Sequence, residues 1–548
     1  MHRIRMIIVV VSALGPFGTV LRAEESGPPQ QAAADAASRP AKDDAGPDRK
    51  PAGRERRDAD KEKKEADKDS SVVEGLIEKP SVTKGEVALS GGPLKYTATA
   101  ANMLMKDEEG KLKARVFFIA YEREHAEGAD LSARPITFVF NGGPGAAAVW
   151  LHLGAAGPRR VDLAANGEPL APPHKLVENA STWLDASDLV FIDPVGTGYS
   201  RPEKGEPGAQ FYGVREDIAW MADFIRLYST HYQRWSSPRF LAGESYGTTR
   251  AAGLSEHLLD RHGIALNGIV LISVVLHFQT LSPADANDLP YALFLPSYTA
   301  VAWYHRRLPP DLQADLERAL EAVEAYSLNE YLPALSHGDA LSPDNRRSHV
   351  ERLARFTALP ADFIDRANLR IDPSVFEKQL LAAEKKLLGR FDARILGDDP
   401  DPLSARPGFD PSFSGYLPVY SATFNDYVRR ALKFESTLPY EVLSGRVRPW
   451  RMGEAGQGYL SVADALRSTM MKNPHLKVLF CSGYYDLATP YFATHYTINH
   501  LDLPRHLRAN VRETRYQGGH MMYHHRPDLE KLHADVASFI DWAAPSGR

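Results

Sequence analysis

Gly243-Glu244-Ser245-Tyr246-Gly247 fits the pattern G-x-S-x-G. The apolar run Arg239 to Ala242 precedes it, and a stretch rich in Ala and Leu, Gly247 to Arg261, follows with helical character. A serine between a strand and a helix sits on a tight turn, its hydroxyl presented as a nucleophile. The helix N-terminus behind it favours negative charge beside that hydroxyl. Nucleophilic catalysis then needs a base and an acid that orients the base, which with a serine on such a strand-to-helix turn should follow in the chain order Ser, Asp, His. Asp486, in Ser482-Gly483-Tyr484-Tyr485-Asp486, and His520, in Gly518-Gly519-His520-Met521, meet that order. Each follows its own apolar run. His524 is the alternative base. His520 and His524 also have the spacing of helical metal ligands, but no H-E-x-x-H motif accompanies them and Gly518-Gly519 opposes a helix, so no metal is expected. Asn141-Gly142-Gly143-Pro144-Gly145 is the remaining chemical element. Its glycines expose backbone N–H groups, one of which could pair with the amide of Tyr246 to form an oxyanion hole.

These residues need a frame. Short apolar runs recur at Pro135 to Phe140, Leu189 to Ile192, Arg239 to Ala242, Ile269 to Ile272, Val478 to Phe480 and Val511 to Tyr516. Helical stretches such as Gly213 to Tyr232 lie between several of them. That alternation predicts a buried, mostly parallel sheet. The nucleophile, acid and base all fall at the C-terminal ends of predicted strands, the edge where open α/β sheets build their sites. The expected class is therefore α/β, an α/β-hydrolase fold. Before it, Val87 to Leu89 and Leu94 to Ala98 flank Gly91-Gly92 as a strand pair, and Ala114 to Tyr121 is a further, antiparallel strand. Between about Phe278 and Arg446 the strand signal fades. Pro309 to Leu335, Ser348 to Arg355 and Pro373 to Phe391 read as helices of a cap inserted between two core strands.

The remainder of the chain sets the context. Arg3 and Arg5, the apolar Met6 to Leu14 and a small residue at Ala23 form the three parts of an export signal. Residues 24–81 are a charged, Ala- and Pro-rich linker with too little apolar side chain to offset ordering. The expected organisation is 1–23 signal, 24–81 linker, 82–277 first part of the core, 278–446 cap and 447–548 second part of the core. The protein is expected to be secreted or periplasmic, with no membrane association once the signal is cleaved. Of 548 residues, 43% are hydrophobic and 25% charged, with a formal net charge of -5, a balance that offers nothing to a nucleic acid. The single cysteine, Cys481, forms no internal disulfide and reads as a small buried hydrophobe.

Taken together, the motifs resemble the serine carboxypeptidase family, peptidase family S10. The matching stretches are Asn141 to Gly145, Asp193-Pro194-Val195-Gly196-Thr197-Gly198-Tyr199-Ser200, Gly243 to Gly247, Ser482 to Asp486 and Gly518 to Met521. Leu151 to Val161 and Gly247 to Gly253 are worded most like bacterial members. The resemblance implies a triad of Ser245, Asp486 and His520, an oxyanion hole of the Gly143 and Tyr246 amides, and recognition of a peptide's C-terminal carboxylate by Asn141, the amide of Gly142, and Glu244. It implies no cofactor and a peptide as substrate. Glu244 could donate to another carboxylate only when protonated, so acidic pH should favour the peptidase. The chain departs from well-studied eukaryotic members at Val139, where they carry Trp, at Ala155, where they carry an acid that pairs with the one at Glu244, and at Ala146 to Ala148, where Ser or Cys is common. Other uses of the same residues are ester hydrolysis or acyl transfer, proline-directed aminopeptidase action and a catalytically silent binding role.

Overall fold

The computed structural model describes residues 75–125, 133–453 and 458–544. The predicted signal, and the linker up to residue 74, lie outside the described residues.

A ten-stranded sheet forms the centre of the molecule. Its principal strands are β1 (Ile77–Leu89), β2 (Gly92–Lys106), β3 (Leu112–Arg123), β4 (Ile136–Phe140), β5 (Asp188–Ile192), β6 (Arg239–Glu244), β7 (Gly268–Ile272), β8 (Lys477–Gly483) and β9 (Val511–Tyr516). They run in the order β1-β2-β3-β5-β4-β6-β7-β8-β9. The first three strands and the β3–β5 junction are antiparallel, and every pairing from β5 to β9 is parallel. Strand β1 begins at Ile77 rather than near Val82, and it extends along β2 past an irregularity between Glu78 and Ser81.

The continuous apolar runs of the parallel strands have a simple cause. Both faces of the sheet are covered. Phe240 and Ala242 of β6, Val270 and Ile272 of β7, and Leu479 and Cys481 of β8 enter one core. Leu241, Ile269, Leu271, Val478 and Phe480 alternate with them and enter the other. Helix α1 (Val214–His231) closes the second face with Ile218, Met221, Ala222, Ile225 and Tyr228, a spacing of three and four residues. Cys481 is fully buried and unpaired, and burial pushes its thiol up to about 12.

Helix α2 (Tyr246–His262) follows β6 directly. Between β7 and β8 the chain runs through a long, mostly helical stretch that includes α3 (Leu289–Tyr304) and α4 (Pro411–Arg430). Two features differ from the sequence reading. The expected helix Pro373 to Phe391 stops at Gln379; Lys385 turns to φ 55°, and Lys386–Leu388 then pairs with Leu396–Asp398 as a hairpin. Helix α4, inside the stretch expected as cap, buries Tyr416, Val419, Tyr420 and Phe424 in the same core as Trp150 and Phe191 of the main body. Its apolar face is wide enough to complete that core. The cap proper has a separate core, which Tyr485, Leu487 and Tyr491 join from the segment around Asp486. Helix α5 (Ala463–Lys472) packs Leu466 and Met470 beside Leu254 and Leu258 of α2, and the last helix, α6 (Arg526–Ala543), covers the first face with Leu529, Leu532, Val536 and Phe539. Among the described residues, no helix is long and apolar enough to cross a membrane.

Candidate active site

Ser245 stands at the β6–α2 junction with φ 59° and ψ -129°. A side chain in this region of backbone space is strained by about 1–3 kcal/mol. The surroundings hold it there. The Ser245 amide donates to the Ile272 carbonyl at 2.9 Å, and its carbonyl accepts from the Thr248 amide and hydroxyl at 2.8 and 2.7 Å. Ser245 is half-buried, while Gly243, Glu244, Tyr246 and Gly247 on either side are buried. The turn therefore offers its serine to solvent and hides its neighbours.

The two flanking glycines have a packing reason. A Cβ at Gly243 would lie 2.2 Å from the Gly247 carbonyl oxygen, and one at Gly247 would lie 3.1 Å from the Asn141 backbone. Gly142 is nearly as tight, since its Cβ would lie 2.4 Å from the Tyr246 amide nitrogen. The Asn141 to Gly145 loop, at the end of β4, is thus pressed against the start of α2. Arg250, buried in α2, fixes the contact. Its Nη1 donates to the Asn141 carbonyl at 2.5 Å and its Nε to Asp217 Oδ2 at 2.7 Å. Burial raises the pKa of Asp217, opposed by the Arg250 charge beside it. Asp193, from the Asp193 to Ser200 stretch after β5, steadies the next turn by accepting from the Ala148 amide at 2.9 Å. Burial pushes its carboxyl up to about 7, against that bond and one from Tyr440.

His520 and Asp486 meet behind this edge. His520 Nδ1 lies 2.8 Å from Asp486 Oδ2. Asp486 is fully buried and accepts from the Ala488 and Thr489 amides at 2.7 and 2.9 Å and from the Thr489 hydroxyl at 2.7 Å. An acceptor at Nδ1 places the proton on that nitrogen and leaves the Nε2 lone pair for chemistry. The His520 carbonyl accepts from Ser273 Oγ at 2.5 Å, at the end of β7. Burial alone would lower the imidazole's pKa, but the charge and hydrogen bond of Asp486, with the charge of Glu244, outweigh it and raise the value above 6.5.

The other histidines separate from this pair. His524 Nε2 lies 2.7 Å from the Tyr420 hydroxyl, and burial pushes its pKa down to about 3. His525 turns to Asp528. Among the described residues, no group of three or more His, Cys, Asp or Glu could hold a metal ion.

Glu244 closes the floor of the site. Its Oε1 accepts from Asn141 Nδ2 at 3.0 Å, and Asn141 is itself anchored by the Leu151 amide at 3.0 Å. Its Oε2 accepts from the Tyr523 hydroxyl at 2.7 Å. Burial pushes the carboxyl up to about 7, although the His520 charge and both donors pull it down. Sequence reasoning missed Tyr523. Its ring packs against Gly154, where a Cβ would come within 2.4 Å, next to Ala155. The carboxyl of Glu244 thus meets a phenol in a region where Ala155 brings no acid. A tyrosine three residues beyond His520 was the one available signal.

The strained serine turn at the C-terminal edge of a mainly parallel sheet defines an α/β-hydrolase fold. The chain goes further than the fold, since the serine carboxypeptidase family profile matches residues 105–526, and the protein belongs to that family. It is 27% identical over 180 residues to serine carboxypeptidase-like 51 of Arabidopsis thaliana, covering 32% of this chain and 36% of that protein. It is 29% identical over 167 residues to the human retinoid-inducible serine carboxypeptidase, covering 29% of this chain and 32% of the other. The matches therefore span about a third of these relatives' lengths. The crystal structure of the prohormone-processing carboxypeptidase of Saccharomyces cerevisiae superposes with a TM-score of 0.52 at 16% identity, covering 81% of this chain and 91% of that one.

Proposed function

We propose that this protein is a serine carboxypeptidase that removes the last residue of a peptide through an acyl-enzyme on Ser245. The observation that carries the proposal is the buried Glu244 carboxyl, held by Asn141 and Tyr523, directly before a strained serine. Such a site suits a substrate with a carboxylate near its scissile bond. Ser245 Oγ attacks the carbonyl carbon while His520 Nε2 takes its proton. The oxyanion forms against the amides of Gly143 and Tyr246. The imidazolium, stabilised by Asp486, then gives its proton to the leaving amine, and water repeats the sequence on the acyl-enzyme. Protonated Glu244 donates to the substrate carboxylate, joined by the second N–H of Asn141 Nδ2 and the Gly142 amide.

Two ionisations with opposite demands follow. His520 must be neutral to act as base, and Glu244 must be protonated to bind a carboxylate. Free-acid peptides are expected to show a bell-shaped kcat/KM, with an alkaline limb near the Glu244 value of about 7. An ester or C-terminally amidated substrate should lack that limb and keep only the acid one. Glu244→Gln should flatten the alkaline limb for free-acid peptides, because an amide donates at every pH. Equal turnover of free-acid and amidated peptides across the range would overturn the carboxypeptidase reading in favour of an ester or amide hydrolase. We also infer export, from the pattern of Arg3, Arg5, Met6 to Leu14 and Ala23, and a bacterial type, from the wording of Leu151 to Val161 and Gly247 to Gly253.

A further inference from the structure

The turn of the cap hairpin, between Lys386–Leu388 and Leu396–Asp398, reaches both sides of the Asp486–His520 pair. The carbonyl of Arg390 accepts from the Leu487 amide at 3.0 Å, and the amide of Ala393 donates to the Tyr485 carbonyl at 3.0 Å, so the turn brackets Asp486. Between them, the carbonyl of Phe391 accepts from the His520 amide at 2.5 Å. The approach is close enough that a Cβ on Gly519 would lie 2.3 Å from the Phe391 carbonyl oxygen. The half-buried Phe391 ring faces the imidazole, with centroids 4.9 Å apart at 41°. The turn is itself anchored. The Arg390 amide donates to Asp410 Oδ1 at 3.0 Å and the Phe391 amide to Ser412 Oγ at 3.1 Å, both at the start of α4. Asp392 and Arg394 form a buried ion pair beside it.

We propose that residues 390–393 form a clip tying the acid loop to the base loop, and that Phe391 is a positioning residue, its ring fixing the His520 imidazole and keeping water off one face. The inference rests on the triad reading of Ser245, His520 and Asp486. It makes the cap part of the catalytic scaffold. The charged groups facing the imidazole are Asp486, Glu244 and Arg390. Burial and the Arg390 charge lower its pKa, while the two carboxyls raise it. Removing the Phe391 ring admits water, relieves the burial effect and moves the pKa up.

Steady-state kinetics on a peptide ester across pH test the clip. Phe391→Ala is expected to lower kcat by about 10²-fold, the scale of a small misplacement of a reacting group. KM should change little, and the acid limb should move to higher pH. Phe391→Tyr, which keeps the ring, should restore both. An acid limb at the wild-type position in Phe391→Ala, or a kcat loss that Phe391→Tyr shares, overturns the proposal. If Phe391→Ala does not fold, Phe391→Leu keeps the apolar volume without the flat face. Its acid limb is expected to stay near the wild-type position, because the apolar volume still keeps water out, while kcat falls for want of the flat face; an unaltered kcat overturns the clip. Ser245→Ala in parallel separates the two levels: an active Ser245→Ala removes the triad itself, whereas an inactive one beside an unaltered Phe391→Ala removes the clip alone.

Discussion

Ser245→Ala is expected to lower kcat by about 10⁶-fold on any acyl substrate, the size of effect seen when a triad nucleophile is deleted. The residual rate should stay about 10³–10⁴-fold above water, since the proposed oxyanion hole of the Gly143 and Tyr246 amides does not depend on the serine hydroxyl. The fold should survive, because alanine tolerates φ 59° no worse than serine does. Ser245→Gly gives the complementary result. It should be equally inactive yet more stable by about 1 kcal/mol, because glycine relieves backbone strain of about 1–3 kcal/mol and returns part of that as extra chain entropy. A higher denaturation midpoint for Ser245→Gly than for Ser245→Ala is the expected measurement. A Ser245→Ala protein within tenfold of wild-type kcat would place the nucleophile elsewhere.

That strained turn shows what a sequence discloses. G-x-S-x-G and its flanks located Ser245 because local geometry demands glycine at Gly243 and Gly247, and such demands are written in the residues themselves. The parallel strands were legible for the same kind of reason. A strand covered on both faces is apolar throughout, and β4 to β8 read as such. Asp486 and His520 are legible as a candidate pair because each follows a strand, and the structure brings them to 2.8 Å. The partners that depend on tertiary approach were not legible. Tyr523 reaches Glu244 across 279 positions of chain, and nothing in its own segment announces the bond. The clip at 390–393 works largely through backbone carbonyls and amides, which every residue has, so its side chains carry little trace of it. Its segment read as helix because Lys385, Lys386 and Leu388 suit helices, and only pairing with Leu396–Asp398 decides otherwise. Its position between strands places helix α4 in the expected cap, whereas the breadth of its aromatic face commits it to the main core.

Asp486→Asn is expected to lower kcat by about 10⁴-fold with the fold intact. Asp486 receives four hydrogen bonds and gives none. Oδ1 takes the Ala488 and Thr489 amides, and Oδ2 takes the Thr489 hydroxyl and His520 Nδ1. Asparagine offers one acceptor oxygen. Two backbone donors are immovable, so that oxygen must stay at the Oδ1 position, and the NH₂ group then faces His520. An NH₂ donor at 2.8 Å requires the lone pair on Nδ1 and sends the imidazole proton to Nε2. Nε2 then has nothing with which to take the proton of Ser245. The Thr489 hydroxyl can rotate to accept from the new amide, so packing is preserved and the loss falls on chemistry. The variant also removes the charge that raises the His520 pKa, so the imidazole should titrate lower than in the wild type. Proton NMR gives the decisive readout. The downfield Nδ1–H resonance of a carboxylate-bonded imidazole should be present in the wild type and absent in Asp486→Asn. Its persistence in the variant, or a kcat within tenfold of wild type, would mean that Asp486 does not set the tautomer of His520.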